Sequence, residues 1–338
     1  MKPLASTIIV PFAFISVHSE AHVRWFIDAA VVPDVPFVLN WPLALSALLI
    51  TLYVSGILLT NQFLSTASKN SVLNTLKTDW SLPAYLEWYA LFGMLNIVLV
   101  VNLMLGEYLA PNLILHPSLI PLGIFIQATV LVLLPFSPAI VGVALIIVAF
   151  LNIAFFGAAI ALDYFFEFFG VGMAFIFIGP YVSRFDRRVM GGFNPNKYNW
   201  ENLAILSLRL GLGLQLLELA IHNKFIGSGY ALLFVEQHSY YNFIQLLGYS
   251  QFGHTDFVYF VGFFEAVLGI LLCAGIAMRL VSITLGFVFI TTAVVSGVEE
   301  LVGHLPIMGT LLILILKGQS SVQLSPFKHF FTSLKITQ

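Results

Sequence analysis

Two ionisable side chains stand inside long apolar runs in the second half of the chain. Arg209 lies in the run ENLAILSLRLGLGLQLLELAIHNKF, and Glu265 lies in the run DFVYFVGFFEAVLGILLCAGIAMRL. A charge at the centre of a bilayer costs roughly 2.5–3.5 kcal/mol on insertion scales, so such a group usually faces a partner or a cavity. Arg209 and Glu265 are therefore the first candidates for a functional site.

The depths of these two residues in their runs would allow them to meet. If the two helices are antiparallel, a hydrocarbon core of about 30 Å leaves Arg209 and Glu265 about 7–8 Å apart in depth, which an arginine side chain can bridge. Gly262, Ala266 and Gly269 share the face of Glu265, and small residues on one face indicate close helix packing in membranes. We predict an ion pair. In the alternative, Arg209 extends to the headgroups and Glu265 is protonated and merely packed.

Further polar residues on the first run could complete a site for an amphiphilic molecule. Gln215, Glu218 and Lys224 follow Arg209 and are the predicted substrate-binding residues. Arginine and lysine donate hydrogen bonds to quinone-type carbonyls, and a buried glutamate can deliver or accept a proton. Quinone reduction needs electrons and protons, so Glu265 and Arg209 are the predicted catalytic residues. A proton relay in a transporter uses the same residue types, which leaves that alternative open.

The composition indicates a polytopic membrane protein. Of the 338 residues, 59% are hydrophobic and 9% are charged, whereas soluble domains have about 25% charged residues. The formal net charge of −2 offers no basic surface and argues against a nucleic-acid partner. The one cysteine, Cys273, excludes an internal disulfide and a CxxC redox motif. Redox chemistry would therefore need a bound quinone, a metal ion or a partner subunit.

The apolar runs predict an all-α polytopic membrane helix bundle with about nine transmembrane helices. The predicted spans are 43–60, 85–105, 113–134, 139–159, 164–182, 202–221, 257–276, 281–298 and 305–316. The nearly continuous run 131–181 must be divided, and Asp163 with Glu167 is the predicted place. Lysine and arginine concentrate in alternate connections, which by the positive-inside rule puts the N-terminus outside and the C-terminus in the cytoplasm. The predicted location is the lipid bilayer of the inner (plasma) membrane.

The same pattern divides the chain into four segments. Residues 1–19 resemble a secretory signal, with a short re-entrant segment as the alternative. Residues 20–183 hold five spans, residues 184–200 form a cytoplasmic linker, and residues 201–338 hold four spans. The long outer connection 224–255 is rich in aromatic residues, which is compatible with an interfacial helix, a lid or plain anchoring.

Histidines and carboxylates gather on the predicted outer side. The histidines at span ends are the candidate metal ligands, and these are His222, His254 and His304. His18 and His22 are four residues apart, would share a helix face, and could bind copper or zinc. The simpler explanation is that outer loops are filled with polar residues other than lysine.

Two motifs in the C-terminal half, LRLGLGLQLLELAIHNKF and FFEAVLGILLCAGIAMRL, resemble the DoxX family of four-span membrane proteins. The resemblance covers roughly residues 202–318, and the matching positions are Arg209, Gly211, Lys224, Glu265, Gly269, Gly275 and Arg279. The family includes a subunit of thiosulfate:quinone oxidoreductase. The resemblance therefore implies a membrane subunit of a quinone-linked oxidoreductase that works with redox partner subunits. A transporter or metal-handling protein is the alternative from another class, and a scaffold without chemistry is the third.

Overall fold

The computed structural model describes Pro33, Val35 and residues 37–66, 85–110, 113–190 and 199–317. The predicted signal-like segment 1–19 and the pair His18 and His22 lie outside these residues.

The described residues form helices and connecting turns, with no strand among them. The helices are α1 (Trp41–Thr66), α2 (Leu86–Leu105), α3 (Ile120–Leu133), α4 (Pro138–Phe156), α5 (Ala158–Val182), α6 (Arg184–Val189), α7 (Trp200–Leu219), α8 (Ser228–Gln237), α9 (Phe243–Leu246), α10 (His254–Ala274), α11 (Met278–Ser296), α12 (Val298–Gly303) and α13 (Leu305–Lys317). A π-helical segment, Ala220–Ile226, continues α7 without a break. Single 3₁₀ turns occur at Pro117–Leu119 and Ser239–Tyr241.

Seven helices of the described chain are long and apolar enough to cross a membrane, which confirms the all-α membrane architecture. They are Trp41–Phe63, Leu86–Leu105, Pro138–Phe156, Ala158–Val182, Trp200–Ile226, His254–Ala274 and Met278–Val295. The other two predicted spans are matched by shorter apolar helices, Pro117–Leu133 and Leu305–Lys317. Both are shorter than the about 20 residues that a hydrocarbon core requires of an upright helix, so nine spans stay a prediction.

The division of the run 131–181 differs from the prediction. The chain breaks at Gly157, which has φ +79° and whose N–H donates to the carbonyl of Ile153, while Asp163 and Glu167 lie inside α5. Glycine adopts positive φ without the steric cost that a Cβ brings. Asp163 needs no helix end because Asn223 Nδ2 of α7 donates to its Oδ1 at 3.2 Å within the bundle. The prediction was wrong because an internal partner makes a mid-helix carboxylate tolerable.

Close glycine contacts set how the central helices pack. A Cβ at Gly170 of α5 would lie 2.6 Å from the Cα of Gly211, so α5 and α7 touch backbone to backbone. A Cβ at Gly213 of α7 would lie 2.6 Å from the Sγ of Cys273 in α10. Without the hydrophobic effect between helices in lipid, such small-residue contacts are what bring membrane helices together. They fix the register of α5, α7 and α10.

One end of the bundle is held by ion pairs between distant helices. Lys317 Nζ lies 2.9 Å from Glu201 Oε1 and 3.3 Å from Glu87 Oε1, which ties the end of α13 to the starts of α7 and α2. We call these three residues the Lys317 clamp. Arg279 Nε, at the start of α11, donates to the carbonyl of Ile315 at 2.7 Å. Helices from both predicted halves therefore share this end.

The opposite end is covered by the long connection between α7 and α10. That connection contains α8 and α9, and its aromatic residues pack on the start of α10 in a core of their own that includes Phe234, Phe252 and Phe257. Asn40 Nδ2, just before α1, donates to Asp256 Oδ1 at 2.6 Å. The connection is helical at α8 and α9, which agrees with the helix predicted within 224–255.

Candidate functional site

Polar groups gather between α5 and α7. The two helices are antiparallel, since Gly170 of α5 contacts Gly211 of α7 and the earlier Asp163 contacts the later Asn223. The positions spaced by three and four residues along this contact are Asp163, Glu167 and Gly170 on α5, and Gly211, Gln215, Glu218 and His222 on α7. Residues at such intervals share one helix face. We call this pair of facing stripes the α5–α7 seam.

Three side chains in the seam converge on one point. One ligand atom from each of Asp163, Glu218 and His222 lies within 4.8 Å of the other two. His222 Nδ1 is 3.0 Å from Glu218 Oε1 and 3.9 Å from Asp163 Oδ1. Glu218 and His222 meet because they are one helical turn apart, and Asp163 reaches them from α5. Asp163 is buried, with 1% of its surface exposed.

The π-helical end of α7 supplies an additional contact to this cluster. His222 and Asn223 are consecutive, yet both lie near the same oxygen of Asp163, at 3.9 Å and 3.2 Å. In a regular α-helix, consecutive residues are about 100° apart. The segment Ala220–Ile226 is wound as a π-helix, a form that occurs frequently at functional sites. Sequence reasoning missed Asn223, since a neutral amide in an apolar run stands out less than a charge.

Gln215 couples the two helices through the backbone of α5. Its Oε1 accepts hydrogen bonds from the N–H groups of Phe166 at 3.1 Å and Glu167 at 3.2 Å, and its Nε2 donates to the carbonyl of Leu162 at 3.0 Å. Gln215 thus stands between the N–H of Phe166 and the carbonyl of Leu162, two groups that bond each other in a regular α-helix. Such an insertion is a known cause of helix bending. The predicted substrate-binding residue thus holds α5 in place beside the cluster.

The ligand set of this cluster suits a divalent transition metal. Imidazole and carboxylate groups are the usual ligands of zinc apart from cysteine, and imidazole also suits iron, copper and nickel. Tetrahedral zinc with bonds of about 2.0–2.1 Å places its ligand atoms about 3.3 Å apart. The spacings of 3.0 Å and 3.9 Å around His222 Nδ1 bracket that value. All three ligand atoms lie within 4.8 Å of one another, so a bound cation would draw them closer together.

The three histidines predicted as metal ligands are not brought together. Within the described residues, the cluster at His222 is the one group of three or more His, Cys, Asp or Glu side chains with converging ligand atoms. His254 Nδ1 instead lies 3.3 Å from Asn242 Nδ2, and the ring of His304 packs 4.7 Å from that of Phe289. Of the three predicted metal ligands, only His222 belongs to a group with converging ligand atoms, so the candidates His254 and His304 are corrected.

The predicted ion pair between Arg209 and Glu265 is also corrected. Glu265 Oε2 lies 2.8 Å from Nζ of Lys224, not beside Arg209. A Cβ at Gly275 would lie 3.0 Å from the guanidinium carbon of Arg209, and Nη1 of Arg209 donates to the Sδ of Met278 at 3.6 Å. Ten residues of α10 separate Glu265 from Gly275, which is about 15 Å. The contacts of Gly213 with α10 set this register.

The Lys224–Glu265 pair adjoins a group of aromatic rings. Phe225, next to Lys224, has its ring centroid 4.9 Å from that of Phe263, and Phe37 lies 5.1 Å from Tyr259 in an edge contact. The side chains of Lys224 and Glu265 are only 11% and 23% exposed. A predicted catalytic residue and a predicted substrate-binding residue therefore meet, in a combination that the sequence did not indicate.

No protein-family model matches the chain, and no curated protein and no solved structure matches it. The resemblance to the DoxX family stays a prediction from the sequence motifs. The functional conclusion therefore rests on the chemistry of the side chains described above.

Proposed function

We propose that the protein is a membrane transporter or metal-handling protein that binds a divalent transition-metal cation in the α5–α7 seam. The observation that carries the proposal is the convergence of Asp163, Glu218 and His222, whose ligand atoms lie within 4.8 Å of one another. Such groups are rare inside membrane helices and usually mark an ion pathway or a proton relay.

The electrostatics of the cluster favour a cation over a purely structural role. Two carboxylates and one imidazole carry a net negative charge when the histidine is neutral. Net negative charge inside a helix bundle is costly, so a bound divalent cation would stabilise the seam. Asn223 donates to Asp163 and would orient it, as hydrogen bonds to metal ligands commonly do.

The depth of the cluster fits entry of an ion from one side. Asp163 is five residues from the start of α5, about 7.5 Å along the helix axis, and His222 lies near the end of the span Trp200–Ile226. The backbone contact of Gly170 with Gly211 lies deeper along the same seam and leaves no space between the helices. The His222 side chain is 24% exposed, so the cluster can be reached from this end once the covering segment moves, while the crossing closes the path behind it. Such an arrangement suits alternating access.

Metal binding by the purified full-length protein tests this proposal. Co²⁺ is the first probe, because its visible absorption reports coordination, and Zn²⁺ competition gives the Kd. We expect Asp163→Asn and His222→Ala to weaken metal binding by about tenfold or more. Loss of a residue that only supports a metal ligand weakens binding about 10–100-fold, and loss of a ligand itself should cost at least the lower of these values. His116→Ala, which alters an exposed histidine outside the seam, is the control. Equal binding by all four proteins would refute the proposal.

A membrane subunit of a quinone-linked oxidoreductase is the second candidate function. The contact that favours it is the Lys224–Glu265 pair at 2.8 Å beside the rings of Phe225 and Phe263. Lysine would donate to a quinone carbonyl and Glu265 would exchange the proton, while electrons would come from redox partner subunits. Such a chain would not be an enzyme by itself.

Quinone content distinguishes this second candidate from the first. If Lys224 holds a quinone, protein purified in mild detergent contains it, and Lys224→Met reduces the amount that co-purifies. Glu236→Gln, at an exposed carboxylate of α8, is the control for loss of an outer charge. Absence of quinone from the wild-type protein would exclude this function.

A further inference from the structure

We propose that Glu167 carries a proton in exchange for the cation that Asp163, Glu218 and His222 bind, so that the protein is a proton-coupled metal transporter. This inference rests on the proposed function, and it adds the coupling ion and the residue that holds it.

Glu167 lies on the seam between the cation cluster and the closed crossing. It is four residues beyond Asp163 on α5, about 6 Å along the helix axis, and three residues before Gly170. The N–H of Glu167 donates to Oε1 of Gln215 at 3.2 Å, which fixes this turn of α5 against α7. A group at this position adjoins the path that a cation would take beyond the cluster.

Among the residues that the structure describes, no lysine or arginine forms an ion pair with Glu167. The other titratable groups of the seam are Asp163, Glu218 and His222. The neighbouring helix α4 has no titratable side chain. Arg209 of α7 contacts Gly275, just past the end of α10, and Met278, at the start of α11. The charged residues of α6 follow the far end of α5, about 22 Å from Glu167, and they are Arg184, Asp186, Arg187 and Arg188.

These surroundings couple the proton on Glu167 to occupancy of the cation site. With the cation absent, the nearby carboxylates and the apolar span disfavour a charge on Glu167, so it holds a proton. A divalent cation at Asp163 favours the carboxylate form and releases the proton. With a neutral His222, the net charge of the four seam residues and the cation changes from −2 to −1, and one proton leaves for each divalent cation that binds.

Reconstituted full-length protein tests the coupling. Zn²⁺ uptake into liposomes is followed with an internal fluorescent indicator, with and without an acidic lumen. We expect the proton gradient to accelerate wild-type Zn²⁺ uptake, because protons that leave the acidic lumen drive the inward exchange of Zn²⁺. Glu167→Gln should still bind Zn²⁺, more weakly than the wild type because its amide cannot ionise when the cation binds. It should lose the effect of the gradient, while Glu236→Gln keeps it.

The outcomes separate this inference from the proposed function. A gradient effect that persists in Glu167→Gln, or wild-type uptake without any gradient effect, overturns the proton coupling and leaves cation binding in place. Wild-type protein that binds Zn²⁺ no better than Asp163→Asn overturns the cation site and the coupling together.

Chemical labelling provides a readout that does not need transport or a foldable Glu167 variant. Dicyclohexylcarbodiimide attaches to carboxyl groups that hold a proton in apolar surroundings, and peptide mass spectrometry locates it. We expect label on Glu167 of the wild type, protection by Zn²⁺, and label without protection in Asp163→Asn. Exposed Glu236 should stay unlabelled. Absence of label at Glu167 overturns the inference.

Discussion

At the scale of single residues, the chemistry of the bundle depends on which charged groups meet. Lys224 and Glu265 meet at 2.8 Å, and the contacts of Arg209 lie elsewhere and include Gly275 and Met278. Asp163 is buried and receives a hydrogen bond from Asn223. Removal of one partner of a buried pair strands the other, which costs more than removal of both.

The Lys224–Glu265 pair gives a quantitative prediction about stability. Glu265→Ala should destabilise the protein by about 2–3 kcal/mol, below the 3–5 kcal/mol known for fully buried pairs because the Glu265 side chain is partly exposed. Lys224→Met with Glu265→Ala should recover most of the loss. Thermal unfolding in detergent measures the change in the free energy of unfolding for both proteins.

Arg209 supplies the matched control for this double-mutant cycle of Lys224 and Glu265. Sites more than 7–10 Å apart with no shared partner behave additively within about 0.5 kcal/mol, so Arg209→Met should show no coupling to Glu265→Ala. A coupling energy larger for Arg209 than for Lys224 would mean that the register of α7 and α10 is different.

At the scale of helices, the glycine contacts position the seam. A Cβ at Gly211 would lie 2.7 Å from the Cα of Gly170, so Gly211→Ala should force α5 and α7 apart, destabilise the protein by about 1–3 kcal/mol and weaken cation binding. Gly286→Ala is the control, since a Cβ there has nothing within 4 Å and alanine is the better helix former. Thermal unfolding and Co²⁺ absorption measure both effects. A Gly211→Ala protein as stable as Gly286→Ala would contradict the described packing.

The sequence predicted the helices but not their register, and the reason is physical. Backbone groups in lipid must bond within their own helix, so apolar length alone locates most spans. Register depends on contacts such as Gly213 with Cys273, and the sequence does not say which glycines meet. The spacing of Glu218 and His222 on one helix is readable from the sequence, whereas Asp163 joins them from another helix through tertiary packing.

At the scale of the whole molecule, polar contacts between distant parts of the chain hold both ends of one bundle. The Lys317 clamp lies at one end, and the contact of Asn40 with Asp256 lies at the other. One hydrophobic core includes Leu91 of α2 and Leu314 of α13. Residues of the predicted segments 20–183 and 201–338 therefore contribute to one common hydrophobic core.

The proposed orientation, with the α8–α9 end outside the inner (plasma) membrane and the clamp end in the cytoplasm, is testable by labelling. In a Cys273→Ser background, Ser250→Cys should react with a membrane-impermeant maleimide on intact cells, since Ser250 is exposed at the outer end. Arg188→Cys, exposed at the other end, should react only after permeabilisation. Labelling of both positions from the same side would rule out this topology.

The Lys317 clamp also has a consequence for biosynthesis. Glu87 and Lys317 are separated by more than half of the sequence, and Gly309 of α13 packs against Leu91 of α2. Helix α2 leaves the ribosome long before α13 is made. Glu87 must therefore stay in the insertion machinery or in lipid without its counter-ion Lys317. The bundle can close only after α13 has been made, and a nascent chain halted before α13 would be a substrate for membrane quality control.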